Sequence, residues 1–506
     1  MIQPKEAQEK SLNATVFYPP ILLLIAVVLF SLYDNDSFLQ GVTAANNWIL
    51  ENFGWLFTWS AFLFLLLLMA VYCSPLAKKK IGGESAIPIL SKWKWFSIAL
   101  CTTVATGILF WGTAEPLYHL HSPPTGLNIP SNSAEAVTFS MSTMFMHWSF
   151  TPYAIYTITG LVFALAYYNY QQPFSIRSLL YPLMNKEVTG PFGDILDILC
   201  LAALVSGMAA SLGAGIFALM GGLEITFHVE QSDIILGLIG FSIVAAFILS
   251  AISGLKKGIA VLSNWNIRAF FGLILFLFIA GPTLQLLELG ATGFKDYLFN
   301  FFSRSTNIGS PLDTQWLNDW TVFYFANWFA WAPISSLFLG RLAVGYTVRD
   351  FIHFNLLFPS LFTCLWMTVF SGLAIDYDLL YQGALHTILI NEGEENVLFT
   401  ILMDFPFGQL LAFLTIGMIF ISYVTAADSN VSAMSAMSST GIHPENPEAP
   451  IWIKVIWGSL IGLIAWIMIT SAGIDGIRLL CVLGGFPALF IIIAVGIGLI
   501  KMLLKA

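Results

Sequence analysis

The stretch Trp320-Thr321-Val322-Phe323-Tyr324-Phe325-Ala326-Asn327-Trp328-Phe329-Ala330-Trp331-Ala332-Pro333 runs on to Gly340 without a charged residue. An uncharged run of this length reads as a helix crossing a bilayer, whose hydrocarbon core is about 30 Å thick. Working outward, comparable apolar runs occur at 17–34, 53–74, 94–116, 137–168, 191–220, 234–253, 259–288, 353–374, 398–437, 452–471 and 479–500. With 320–340 they predict an all-α polytopic membrane protein of about 12 transmembrane helices. The composition agrees: of 506 residues 58% are hydrophobic and 10% charged, and mean hydropathy is +0.81, which excludes a water-soluble domain of this size.

Basic residues test this division, because Lys and Arg gather in the cytoplasmic loops of a membrane protein. Sixteen of the 20, from Lys5 and Lys10 to Lys501 and Lys505, fall on the side shared by the two termini; Lys295, Arg304 and Arg478 fall on the other. Both termini are therefore expected in the cytoplasm, with the chain multi-pass in the cell (inner) membrane. Arg268 remains, inside a span. The net charge of −9 comes largely from acidic loops such as that of Glu392, Glu394 and Glu395, so no nucleic-acid partner is expected. No removable signal peptide and no long regulatory tail beyond Lys501 are expected. The five cysteines lack paired spacing, which argues against disulfides or a zinc site. The apolar side chains of 289–319 suggest a helix along the outer interface, with further interfacial elements near 379–391 and at Val344–Phe351.

Two spans carry helix-breaking residues: Gly107 and Gly112 precede Glu115-Pro116 in 94–116, and Pro333 and Gly340 lie in 320–340. Broken helices in corresponding positions point to a midplane site in an inverted-repeat transporter, although Gly and Pro are common in membrane helices generally. Aromatic residues concentrate in the same region. His147-Trp148-Ser149-Phe150-Thr151-Pro152-Tyr153-Ala154-Ile155-Tyr156 places Tyr153 and Tyr156 on one helix face, and Trp328 and Trp331 are also three apart. Anchoring tryptophans prefer helix ends, whereas Trp148 and Trp328 sit well inside. Packing is one explanation. The other is a cation–π box for a quaternary ammonium, each desolvated ring contact contributing about 2 kcal/mol or more. An enzyme is not expected: His119, His121, His147 and Asp428 fall in no HExxH, GxSxG or GxxxxGK pattern.

The runs Phe110-Trp111-Gly112-Thr113-Ala114-Glu115-Pro116, His147 to Tyr156, Gly254-Leu255-Lys256-Lys257-Gly258 with Leu262-Ser263-Asn264, Trp320 to Tyr324 through Phe338-Leu339-Gly340-Arg341, and Thr425-Ala426-Ala427-Asp428-Ser429 resemble the betaine/choline/carnitine transporter (BCCT) family from about Phe17 onward. The resemblance implies LeuT-like inverted five-helix repeats: 1–90 holds the N-terminus and helices 1–2, 91–288 the first repeat (helices 3–7), 289–319 the outer interfacial helix, and 320–506 the second repeat (helices 8–12) with the short C-terminus. It implies a homotrimer in the lipid bilayer and alternating-access transport of a small quaternary-ammonium zwitterion of the glycine betaine or carnitine type. The alternative is sodium- or proton-coupled symport of another compatible solute, such as choline or a sulfonium zwitterion.

Carried over by position, Trp148, Tyr156, Trp328 and Trp331 match the family's aromatic box. Tyr153, Phe325 and Asn327 stand where Trp is common; Asn327 loses the π face and offers hydrogen bonds instead. Gly107 stands where choline-selective members carry an acidic residue, and Ile98 to Trp111 holds no carboxylate, which favours a zwitterion. Apart from a coupling ion no cofactor is expected. Sodium-driven relatives use a Thr-Ser pair where this chain has Thr425-Ala426, so one oxygen ligand is missing. Arg268, about 15 Å deep at 1.5 Å per residue, is expected to replace the sodium; the alternatives are a structural pairing with Asp428, or a sodium site kept by Thr425 and carbonyls. Asp428 reads as a proton relay or, preferably, as a cap beside Ser429 and Asn430.

Overall fold

In a computed structural model the described residues are 11–104, 107–252, 256–309, 312–441 and 449–505; Lys5, Lys10, Gly254 and Leu255 lie outside them. The principal helices are α1 (Ala14–Tyr33), α2 (Asn35–Cys73), α3 (Lys92–Val104), α4 (Gly107–His121), α5 (Ala134–Trp148), α6 (Phe150–Ala164), α7 (Pro191–Phe227) and α8 (Asp233–Ile252). There follow α9 (Lys256–Ala280), α10 (Thr283–Thr306), α11 (Phe323–Leu342), α12 (Phe358–Leu380), α13 (Glu394–Met403), α14 (Gly408–Met437) and α15 (Ile451–Leu504).

Among the described residues ten helices are long and apolar enough to span a membrane. The last of them, α15, has 54 residues, and a straight helix of that length would measure roughly 80 Å, far more than a bilayer. It breaks at Gly473 (φ 56°, ψ −134°), a conformation open to glycine, and so supplies two crossings. Helices α3 and α4, each too short alone, supply one more between them, which brings the described segments to the expected twelve.

Burial separates centre from rim. The apolar window of Ala134–Asn169 is 94% buried and that of Thr314–Leu342 89%, against 39% for α1 and 33% for Asp233–Ser250. The two aromatic-rich spans therefore form the middle of the molecule. Helix α11 packs on α6, α7 and α15, with Gly207, Gly484 and Gly485 admitting close contact: a Cβ on Gly485 would lie 2.4 Å from the Ala326 carbonyl oxygen. Small residues at such crossings let helices approach where lipid gives no hydrophobic drive. The first aromatic span breaks at Ser149 (φ −114°, ψ −121°), three residues before Pro152, which has no N–H to continue the ladder. Trp148 ends its helix there.

Helix α10, which covers the stretch expected along the outer interface, begins at Thr283, earlier than the expected 289, because Pro282 sits at its N-terminal cap and separates it from α9. It exposes Leu284, Leu287, Leu298, Phe299 and Phe302 and buries Leu286 and Tyr297. The next span also starts earlier than 320: Asp313 caps Thr314–Leu317, and one π turn, Asn318–Val322, leads into α11. The element near 379–391 is the helix Ala384–Asn391, and that at Val344–Phe351 is Val348–Ile352, with a capping box of Thr347 and Asp350.

On α13, burial raises the Glu395 carboxyl from 4.5 to about 7, and Glu394 and Glu224 push it the same way. The folded state therefore holds this proton more tightly than the unfolded chain. Its stabilising contribution is complete below about 4.5 and is lost as pH rises through about 7. Glu395→Gln is expected to flatten the fall in melting temperature between about pH 5 and 8; an unchanged profile would show that Glu395 does not set it.

Candidate functional site

At the centre, where the end of α3 meets the start of α4, a cavity is lined by Thr103, Gly107, Trp111, Trp148 and Tyr156, by Phe323, Tyr324, Asn327, Trp328 and Trp331, and by residues of α7 and α15 including Ser211, Ile477 and Cys481. Trp328 is the hub. Its ring centroid lies 4.9 Å from Tyr156, 5.1 Å from Tyr153 and 6.5 Å from Trp148. Gly107 is what lets Trp148 in, since a Cβ there would come within 3.2 Å of its ring. Gly207 does the same for Trp331, at 2.9 Å. Asn327 lines the cavity, and its Oδ1 is buried without a hydrogen-bond partner among the described residues.

Six expected residues thus meet at the cavity: Gly107, Trp148, Tyr156, Asn327, Trp328 and Trp331. Three others do not line it. Tyr153 backs Trp328 from the far side, Phe325 points at His147 with centroids 6.4 Å apart, and Gly112 packs on the Trp366 indole. In each case the residue falls on a helix face turned from the cavity.

The coupling region is elsewhere, on α14. Thr425 donates its hydroxyl to the Ile421 carbonyl of its own helix (2.9 Å), and Ala426 is buried. Asp428 accepts from Ser250 of α8 (2.7 Å), which ties two helices together. Arg268 does not reach this region: it lies on the exposed flank of α9, its guanidinium 5.5 Å from the Trp265 ring. The helical phase turns Asn266 inward instead, and its amide donates to Ser422 of α14 (2.7 Å).

Sequence reasoning missed a buried polar cluster behind Trp148. Glu115 Oε1 contacts His147 Nδ1 (2.6 Å) and His119 Nε2 (3.1 Å), and its Oε2 accepts from the Trp148 indole N–H (2.7 Å). His147 Nε2 meets the Thr321 hydroxyl (2.9 Å). Glu115, His119 and His147 are all fully buried. Two donors on one zinc would stand about 3.3 Å apart at bonds near 2.0–2.1 Å, so the 2.6 Å contact is that of a proton held between acid and imidazole. The signal was available: Glu115 is the sole carboxylate of the run 94–116, and a carboxylate inside a span is functional by default. Ser211, Ile477 and Cys481 had no such signal. Outside the cavity, the Arg478 guanidinium lies 5.1 Å from the Trp320 ring and 5.9 Å from Phe323, a residue of the cavity wall.

The family model for the betaine/carnitine/choline family transporter matches residues 15–506. The chain is 31% identical over 501 residues to the high-affinity choline transport protein of Escherichia coli, covering 98% of this chain and 73% of that one. It is 29% identical over 494 residues to the glycine betaine transporter of Acinetobacter baylyi (97% and 74%). With the ectoine/hydroxyectoine transporter of Virgibacillus pantothenticus it shares 28% over 497 residues (98% of each).

Proposed function

Because the chain belongs to the betaine/carnitine/choline transporter family, we propose that it is a secondary active transporter of small quaternary-ammonium zwitterions, of the glycine betaine or carnitine type. It is a transporter and not an enzyme. The observation that carries the substrate class is the aromatic cavity, with Trp148, Tyr156, Trp328 and Trp331 all contributing to its wall and no charged side chain lining it among the described residues. A quaternary ammonium has no N–H to donate and is held by ring faces. The Asn327 amide supplies hydrogen bonds for the polar end of the ligand. In this reading 91–288 and 320–506 are inverted repeats that rock about the cavity, both termini are cytoplasmic, and three copies assemble in the inner membrane.

A cation of the choline kind is the second reading, and one observation favours it: the Glu115 carboxylate stands one side chain behind the cavity. A panel of glycine betaine, carnitine, choline and a dimethylsulfonium zwitterion, assayed by binding to the purified protein, tests both. Failure of every one of them would remove the substrate class.

Coupling is read as independent of sodium. The support is the pair Thr425-Ala426, with one hydroxyl absent and the other hydrogen-bonded within its helix; Arg268 no longer contributes to the argument. Uptake into proteoliposomes is expected to be equal with and without a sodium gradient. Strict dependence on external sodium would overturn this.

A further inference from the structure

Transport of a zwitterion gives Glu115 and its histidines no role, yet an ionisable cluster fully buried in a membrane span is costly to keep. Its geometry is specific. The two oxygens of Glu115 are divided between different partners: Oε1 serves His147 and His119, and Oε2 takes the Trp148 indole N–H at 2.7 Å. The Trp148 ring is itself a wall of the cavity. An indole N–H donated to a carboxylate makes a charge-assisted bond and leaves more electron density on the ring face, the face that attracts a cation. The cationic side chains nearby are held elsewhere, Arg478 over Trp320 and Arg304 against Asp296.

We propose that Glu115 is the counter-charge of the cavity, acting through Trp148 on the ligand's quaternary ammonium, and that a proton on His147 competes with the ligand for that charge. This rests on the reading of the cavity as a quaternary-ammonium site.

His147 is the histidine able to gain a proton without losing a bond. Its Nε2 faces the Thr321 hydroxyl, which can donate to a neutral imidazole or accept from a protonated one. His119 is differently placed: its Nδ1 is buried with no partner among the described residues, so a proton there would have no acceptor. The groups around His147 are Glu115 and His119 on α4, Thr321 at the entry to α11 and Tyr324, whose ring is 5.0 Å away. Against the middle of α5 stands Arg304 of α10, bonded to Ser142 and Asp296, and at its C-terminal end Tyr297 and Cys364 lie beside Ser149. Among these Glu115 is the one carboxylate in contact with both the imidazole and the cavity wall. Protonating His147 neutralises the charge that Trp148 relays. Proton and ligand therefore oppose each other, and ligand entry releases the proton.

The test uses the full chain in lipid nanodiscs, with binding measured between about pH 5.5 and 8.5. The probes are choline, glycine betaine and 3,3-dimethylbutan-1-ol, the uncharged carbon isostere of choline. Acidification is expected to weaken choline and glycine betaine about tenfold, as is Glu115→Gln, the loss of one charge-assisted bond. The isostere should respond to neither change. His147→Gln should abolish the pH dependence. Trp148→Phe keeps a ring but removes the N–H, and adding Glu115→Gln to it should cause no further loss. If Glu115→Gln fails to fold, the wild-type pH series and Trp148→Phe still decide. Equal losses for charged and uncharged probes would reduce Glu115 to a structural group, and affinity that rises on acidification or ignores pH would overturn the proposal. A wild-type protein that binds neither quaternary probe at any pH would instead remove the substrate reading beneath it.

Discussion

Trp328→Ala is expected to weaken binding of a quaternary-ammonium ligand by about thirtyfold or more, since the ring faces of a desolvated box contribute about 2 kcal/mol or more each. The effect should exceed that of any other single aromatic because Trp328 touches Tyr153 and Tyr156 and approaches Trp148. Removing it takes away one face and releases the support of the others. Trp328→Phe should recover part of the affinity by restoring a smaller face. Both variants should still insert, because the apolar length of the span does not depend on one side chain. Affinity unchanged in Trp328→Ala would show that the tryptophan only packs.

The second large effect concerns two glycines whose replacement by alanine should act in opposite directions. An alanine methyl at Gly485 would lie 2.4 Å from the Ala326 carbonyl oxygen and 2.8 Å from the adjoining carbons. All of these are backbone atoms, so α11 and α15 must move apart. Overpacking of this kind costs about 1–3 kcal/mol. The cavity should suffer too, because α15 carries Ile477 and Cys481 into its wall while α11 carries Trp328 and Trp331. At Gly272 on α9 an added methyl meets nothing within 4 Å, and the helix should gain about 0.5–1 kcal/mol from the lost freedom of glycine. Thermal unfolding in detergent with a ligand-binding assay checks the pair: Gly485→Ala should melt earlier and bind weakly, and Gly272→Ala should melt later and bind normally. A shift of the same sign in both would refute the close packing of α11 on α15.

How much of the site was legible beforehand follows from where each kind of information resides. Trp148, Tyr156, Trp328 and Trp331 were found because tryptophan and tyrosine deep inside a span are unusual at the level of residue type and position. Phe325 and Tyr153 were included because they stand where Trp is common in the resembled family, and the fold turned them away from the cavity. Residue type announces an aromatic ring but does not say which way its helix is rotated. Arg268 is the clearest case. Its depth in the span was computable from the helical rise, yet one turn of a helix holds 3.6 residues, and a displacement of two residues from Asn266 carries it from the α14 interface to the exposed flank.

By itself, the sequence determined that this chain lives in a bilayer, how many times it crosses, and which two spans hold the aromatic residues. These are properties of local composition: water will not accept long uncharged apolar runs, and the bilayer sets their length. Only the tertiary structure decided which rings face one another, that Ser211, Ile477 and Cys481 complete the wall, and that Glu115 stands behind Trp148 with His147. Those relations join residues far apart along the chain, Glu115 to His147 across 32 positions and to Trp148 across 33, and helix rotation and crossing bring them together. Rotation and crossing are set in turn by close contacts such as Gly485 on Ala326 and Gly207 on Trp331, where the meaning of a glycine depends on what lies across from it.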